Sequence, residues 1–89
     1  MDYLELKKDM LSLRIDMVRK RINTFELSLN TYRTLKEIRF SRKEQYSTQM
    51  SDQADQKINQ VVQNINLSIQ ILSSLENELT SLEEGNSSN

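Results

Sequence analysis

A seven-residue repeat runs through the first half of this 89-residue chain and restricts that half to one long amphipathic helix. From Asp2 onward, two positions of each heptad are mostly apolar, and their spacings alternate between four and three residues. This alternation defines a single a/d seam of a coiled-coil helix. The apolar members of the seam that we expect in the core are Leu4, Leu11, Ile15, Val18, Ile22, Phe25 and Leu29.

The second half carries a seam of its own, with Ala54 and Ser68 at two of its d positions. Val62 and Ile69 widen this seam to the face of a globular helix bundle. Residues 65–71 also alternate as a strand would, but helical spacing continues on both sides and favours a helix. The expected core residues here are Ile58, Val61, Ile65, Leu72, Leu75, Leu79 and Leu82.

The two seams are out of phase by one residue, and the slip falls in a polar segment around residues 46–52. Because one uninterrupted coiled coil keeps its frame, the slip predicts two helices. We expect an all-α hairpin with a helix over 2–46, a turn at 47–51 and a helix over 52–84. Ser51 or Asp52 is the expected N-cap of the second helix. Gly85 would follow that helix as a C′ glycine and begin a disordered tail, 85–89.

Two other structures are compatible with the pattern. The chain has no proline, and Gly85 is its single glycine, so one long bent helix is an alternative. The N-terminal segment 1–13 folding back as a separate short helix is the other.

The charges separate between the halves, which favours antiparallel packing. Residues 1–50 hold 11 basic and 7 acidic groups, whereas residues 51–89 hold 1 basic and 6 acidic groups. A turn centred on residue 49 would pair residues whose numbers sum to about 98. Because each exposed ion pair contributes only about 0.2–1 kcal/mol, charge would select the orientation more than it stabilises the fold.

The composition excludes most chemistry. There is no histidine and no cysteine, so zinc ligation, thiol catalysis and a Ser-His-Asp triad are ruled out. With one glycine there is no Gly-rich phosphate loop. Asp2, Asp9 and Asp16 form a row, but neighbours are about 10 Å apart along a helix, too far to share a proton or metal. We therefore expect no enzyme, no catalytic residue, no metal site, no cofactor and no small-molecule substrate.

The acidic N-terminus lacks the basic and apolar regions of a signal peptide. No apolar run approaches the roughly 18 residues of a membrane span. These features predict a cytoplasmic protein, with export without a cleaved signal as the alternative.

A second apolar stripe on the first helix is the expected partner-binding surface. A helix that is apolar on two sides is buried on two sides, and the second helix can cover only one of them. The predicted first helix also exceeds the second by roughly 12 residues, so that about 18 Å would overhang at residues 2–13. The stripe consists of Tyr3, Leu6, Met10, Leu13 and Met17.

A basic segment over residues 33–43, flanked by Tyr32 and Tyr46, is the alternative functional region. Basic residues interleaved with aromatic ones can bind phosphates and stack bases. Glu37, Glu44 and the sequence pI of about 5.4 weigh against nucleic acid or an anionic membrane as its partner. Charges that are solvated or paired within the hairpin, or an acidic partner protein, are the other interpretations. The candidate anion-binding residues are Arg33, Lys36, Arg39, Arg42 and Lys43.

Two helices alone form a thin core, so we expect the hairpin to join a four-helix or larger intermolecular bundle. The predicted function is a non-catalytic protein–protein interaction module, a small coiled-coil subunit, adaptor or binding chaperone. Its partner would be a second copy or another helical protein. The size and hairpin pattern resemble several unrelated groups, among them small helical secretion chaperones and the hairpins of type VII secretion substrates, although the Trp-x-Gly turn of the latter is absent. Periodicity alone does not select one family among these groups.

Overall fold

The chain forms two long helices that pack as a hairpin. The computed structural model describes the backbone of residues 2–41 and 48–85, and the side chains of residues 2–39 and 52–85. Helix α1 spans Tyr3–Ser41 and contains 39 residues. Helix α2 spans Thr48–Gly85 and contains 38 residues. The all-α hairpin expected from the two seams is confirmed, and the single bent helix is excluded.

Asp2 caps the start of α1. Its Oδ1 accepts a hydrogen bond from the Leu4 backbone N–H at 3.2 Å, and its carbonyl accepts one from the Leu6 N–H at 3.1 Å. Glu5 adds a negative charge in the first turn, where the helix dipole favours it. From Tyr3 the helix continues to Ser41, so the alternative of a separate short helix over residues 1–13 is wrong.

The boundaries of α2 differ from the expected ones. The helix begins at Thr48, so residues 48–51 belong to it instead of forming a turn, and Ser51 and Asp52 are not its N-cap. Small polar residues favour a cap but are also tolerated within a helix when its seam packs. Gly85 is the last helical residue of α2 and not part of a tail. Residues 42–47 and 86–89, with the predicted end of the first helix and most of the tail, lie outside the described residues.

The hairpin divides into two compact units, and the first combines residues 1–22 with residues 67–89. Its deepest apolar side chains are Leu11, Ile15 and Ile22, with 4%, 5% and 9% of their surface exposed. Leu4 and Val18 are half-buried, as are the seam residues of α2 in this unit, Leu72, Leu75, Leu79 and Leu82. The a/d positions of both helices therefore carry the burial of this unit.

The second unit comprises residues 23–66. None of its residues with a described side chain is fully buried. Its seam residues are half-buried, namely Phe25, Leu29, Ile58, Val61 and Ile65. Lys36 of α1 pairs with Asp55 of α2, and the Lys57 ammonium lies 6.0 Å from the centre of the Tyr32 ring. Polar and cation–π contacts thus supplement a thin apolar core in this unit.

The register of the hairpin differs from the expected one. In the first unit, Arg19 and Glu76 approach to 3.7 Å, and their numbers sum to 95. In the second unit, the pairs Lys36–Asp55 and Tyr32–Lys57 have sums of 91 and 89. All three values are below the expected 98.

The predicted overhang of residues 2–13 is wrong. With α2 starting earlier, the two helices have nearly equal lengths, 39 and 38 residues. Leu11 accordingly lies in the core at 4% exposure. Helix α2 therefore covers α1 at Leu11, and the open apolar surface at Leu13 and Met17 comes from the sides of α1 and not from an overhang.

A pair of spin labels checks the antiparallel packing of the first unit. Arg19→Cys and Glu76→Cys introduce the only two thiols of the chain, and packed helix axes lie about 8–10 Å apart. We expect a label-to-label distance below about 25 Å within one chain by pulsed electron resonance, with unlabelled chain added to dilute contacts between molecules. A continuous helix would place these positions about 85 Å apart, and such a distance would contradict the hairpin.

Ser68 is a polar side chain at a buried seam position, with 6% exposure. Among the described residues, no hydrogen bond of its hydroxyl is formed. Since a buried unsatisfied hydroxyl is destabilising and alanine is the better helix former, Ser68→Ala should raise the free energy of unfolding by about 1 kcal/mol. Urea denaturation followed by circular dichroism measures this. The exposed Ser73→Ala variant should gain only a few tenths of a kcal/mol by comparison.

Candidate interaction surface

An apolar stripe on α1 remains open to solvent in the first unit. It consists of Tyr3, Leu6, Met10, Leu13 and Met17, and each of these side chains has 44–75% of its surface exposed. We call it the N-terminal stripe. Contiguous apolar patches of this kind are uncommon on monomeric proteins and mark interaction sites.

The stripe is open because α1 has two separate apolar faces. At 100° per residue, the stripe is centred about 130° around the helix from the seam that contains Leu11 and Ile15. Helix α2 packs on that seam and cannot also cover the stripe. The second face predicted from the sequence is therefore present, but its exposure results from its angular position and not from an overhang.

Charged residues border the stripe along both edges. One edge carries Asp2, Asp9 and Asp16, which are exposed. The other carries Lys7, Arg14 and Arg21, of which Lys7 is half-buried and the two arginines are exposed. Among the described residues, Asp9, Asp16, Lys7, Arg14 and Arg21 form no ion pair within 4.0 Å.

Sequence reasoning identified the acidic row but missed the basic one. Its signal was present in the spacing of seven residues from Lys7 to Arg14 to Arg21. The stripe also ends at a definite point, because Lys20 and Thr24 occupy its next two positions. Leu27 is exposed beyond this interruption and does not extend the stripe.

A shallow groove of about 190 Å³ follows the basic edge of the stripe. Tyr3, Leu6 and Met10 form its apolar wall, and Glu78 of α2 contributes an acidic group. The other lining residues are Lys7, Leu11 and Arg14. A side chain from a partner helix can therefore contact both apolar and charged groups at this edge.

Helix α2 has a smaller exposed apolar region, which sequence reasoning did not single out as a site. Leu67 and Ile71 share one side of the helix at i, i+4 spacing, and both are at least half exposed. Ile69, which was expected to widen the core face with Val62, is also exposed, whereas Val62 is half-buried. Asn64 and Ser74 continue the side that carries Leu67 and Ile71, so no long stripe develops there.

The basic segment is partly occupied by contacts within the second unit. Lys36 pairs with Asp55, whereas Arg33 and Arg39 are exposed. Arg42 and Lys43 lie outside the described residues. A groove of about 200 Å³ is lined by Tyr32, Leu35, Lys36, Arg39, Gln53, Ala54 and Lys57. Lys57 of α2 joins this basic cluster, which the sequence did not indicate because it is distant along the chain.

Within residues 2–41 and 48–85, no three acidic side chains gather closely enough to hold a metal ion. Neither described helix has a segment that is both long and apolar enough to cross a membrane.

Comparison of the chain with models of known protein families, with curated proteins and with solved structures finds no significant match.

Proposed function

We propose that this chain is a non-catalytic protein–protein interaction module that binds through the N-terminal stripe. The observation that carries the proposal is the exposure of five large apolar side chains at helical spacing on the face of α1 that α2 leaves open. Burying such side chains supplies the main favourable free energy of association, about 1.5–3 kcal/mol for each one fully removed from water.

The shape of the stripe favours a helix as its partner. Tyr3, Leu6, Met10, Leu13 and Met17 follow the alternating three- and four-residue spacing of a coiled-coil seam. An amphipathic helix with an apolar stripe of similar length matches this surface. Such a role suits a small coiled-coil subunit, adaptor or binding chaperone in an oligomeric or heteromeric complex.

The thin core of the hairpin adds support. Among the residues with described side chains, three apolar ones are buried, namely Leu11, Ile15 and Ile22. Chains with so little burial commonly gain stability from association. A partner on the N-terminal stripe would bury apolar surface that the hairpin alone leaves in water.

The test compares complexes formed in cells by the full chain and by two single-site variants. Met10→Asp places a carboxylate at the centre of the stripe, whereas Asn30→Asp adds the same charge at an exposed position of α1 elsewhere. Native mass measurement of the isolated complexes should show the wild-type assembly retained with Asn30→Asp and lost with Met10→Asp. A chain that remains a monomer in all three cases contradicts the proposal, as does an assembly that Met10→Asp leaves intact.

A second candidate, binding of anions through the groove in the second unit, is favoured by the presence of Lys36, Arg39 and Lys57 around Tyr32. Asp55 already neutralises part of this charge. If nucleic acid binds there, its affinity should fall steeply between 50 and about 200 mM salt, and Arg33→Glu with Arg39→Glu should abolish it. Association that persists at high salt and tolerates this pair supports the N-terminal stripe instead.

A further inference from the structure

We propose that the partner on the N-terminal stripe is a second copy of this chain, with the two α1 helices parallel and in register. This inference rests on the proposed function and identifies the occupant of its surface. The supporting observation is that one edge of the stripe is acidic and the other is basic. In a parallel pair, the acidic edge of each copy faces the basic edge of the other.

The charges occupy the flanking positions of a coiled-coil seam. If Tyr3, Met10 and Met17 are taken as a positions and Leu6 and Leu13 as d positions, the residues before each a position are acidic. These g positions hold Asp2, Asp9 and Asp16. The residue after each of these d positions is basic, and so is the residue after Lys20, which occupies the next d position. These e positions hold Lys7, Arg14 and Arg21.

In a parallel coiled coil, each g residue faces the e residue five positions later on the other helix. Asp9 of one copy would therefore face Arg14 of the other, and Asp16 would face Arg21. The relation is reciprocal, so both edges of the interface become attractive. Asp2 faces Lys7 in the same way, although its carboxylate also caps the helix.

An antiparallel pair of the same helices is disfavoured. In that orientation, g positions face g positions and e positions face e positions, so aspartates would meet aspartates and basic residues would meet basic residues. Like charges facing each other are destabilising. The alternation of charge across the stripe therefore selects the parallel arrangement.

Several observations fit a pair of limited strength. The stripe contains only five side chains, so the interface would lie near the lower limit of about 1,000 Å² for a specific complex. Lys20 lies at the next d position, where two copies would bring two ammonium groups together. The contact would thus end after Met17, and we expect weak association with a dissociation constant of about micromolar, the upper end of the range for interfaces of larger size.

Charge reversal at one edge tests the proposal. Asp9→Lys with Asp16→Lys makes both edges basic, and Arg14→Glu with Arg21→Glu makes both edges acidic. Each variant alone should dimerise about ten- to a hundredfold more weakly than the wild type, because four attractive pairs become repulsive. Sedimentation equilibrium over micromolar concentrations measures this, and circular dichroism checks that the helices persist.

Mixing the two charge-reversed chains controls for misfolding, because misfolded variants would not regain association on mixing. The basic edges of one chain face the acidic edges of the other, so a mixed dimer should form with an affinity within about tenfold of the wild type. Failure of the mixture to associate would overturn the proposal. Equal dimerisation of all three proteins would overturn it as well, because the edge charges would then have no effect.

Single cysteines determine the orientation, since the chain has none of its own. In a parallel pair, residue 17 faces residue 17 of the other copy at a distance that suits a disulfide. Met17→Cys should therefore form a linked dimer on mild oxidation, and a mixture of Met17→Cys with Tyr3→Cys should give no 3–17 link. Predominant linkage between positions 3 and 17 would show an antiparallel pair and overturn the proposed arrangement.

Self-association and association with another protein are distinguished by separate measurements. If the pure chain stays monomeric at 100-fold above the expected micromolar range but forms a complex with another protein that Met10→Asp abolishes, self-association is wrong and the proposed function stands. If neither assembly occurs, both are wrong.

Discussion

Replacing Leu6 and Leu13 with aspartate should weaken association of the chain by about 4 kcal/mol or more, roughly a thousandfold in the dissociation constant. Both side chains lie on the N-terminal stripe and are exposed in the hairpin, so the helices themselves lose little packing. Each substitution removes the burial of a leucine and leaves a carboxylate in an apolar contact. Sedimentation equilibrium gives the affinity, and circular dichroism should show nearly unchanged helix content.

The matched control adds the same two charges away from the stripe. Asn30→Asp with Thr34→Asp alters two exposed positions of α1 in the second unit and should change the affinity by less than about threefold. If this pair weakens association as strongly as the leucine pair, total charge and not the stripe controls assembly. The stripe would then not be the interaction surface that we propose.

The largest effect on stability is expected at the opposite face of α1. Leu11→Ala with Ile15→Ala should lower the free energy of unfolding by about 4–8 kcal/mol, because both side chains are buried and each truncation leaves a cavity. Small domains have only about 5–15 kcal/mol in total, so we expect the double variant to be largely unfolded at 25 °C. Loss of the helical circular dichroism signal measures this.

Leu27→Ala is the control for that experiment. Leu27 lies on the same helix but is exposed, so its truncation should cost less than about 0.5 kcal/mol. A double variant at Leu11 and Ile15 that keeps the wild-type urea midpoint would show that this seam does not hold the hairpin together.

The sequence predicts the architecture well because the seams are long and regular. Leu11, Ile15 and Ile22 recur at helical spacing and are the deepest apolar side chains of the first unit. The one-residue slip between the two seams predicts two helices, because a single helix cannot keep both seams on one face. Antiparallel packing followed from the opposite net charges of the halves and agrees with the Arg19–Glu76 contact.

The boundaries could not be predicted with the same accuracy. Without proline or an internal glycine, the segment around residues 47–52 has no residue that forces a helix to stop or start. The sequence favours Ser51 or Asp52 as the N-cap, but both residues lie within α2. A cap at either position makes the second helix too short and extends the predicted overhang to residue 13, which the burial of Leu11 contradicts.

The five side chains of the N-terminal stripe are exposed, as a second apolar face on α1 predicts, but the reason given for their exposure was incomplete. The exposure of Met10 and Leu13 depends on the angle between the two apolar faces of α1. This angle follows from the spacing of the residues in the sequence, whereas the predicted overhang considered only the lengths of the helices. The groove of the second unit was not predictable, because bringing Lys57 next to Arg39 requires the register of the hairpin. Periodicity within one helix carries no information about that register.

The division into two units has a consequence for the order of folding. The unit with the deepest burial is closed by residues 1–22 and 67–89, so 44 intervening residues must be looped before its core forms. During synthesis, Leu11 and Ile15 emerge long before Leu75 and Leu79 and have no partner seam in the meantime. The second unit, residues 23–66, contains the more local contacts and is the natural place for the chain to begin folding. Early contacts would thus form in the less deeply buried unit, and most of the final stability would arrive last, when the distant segments meet.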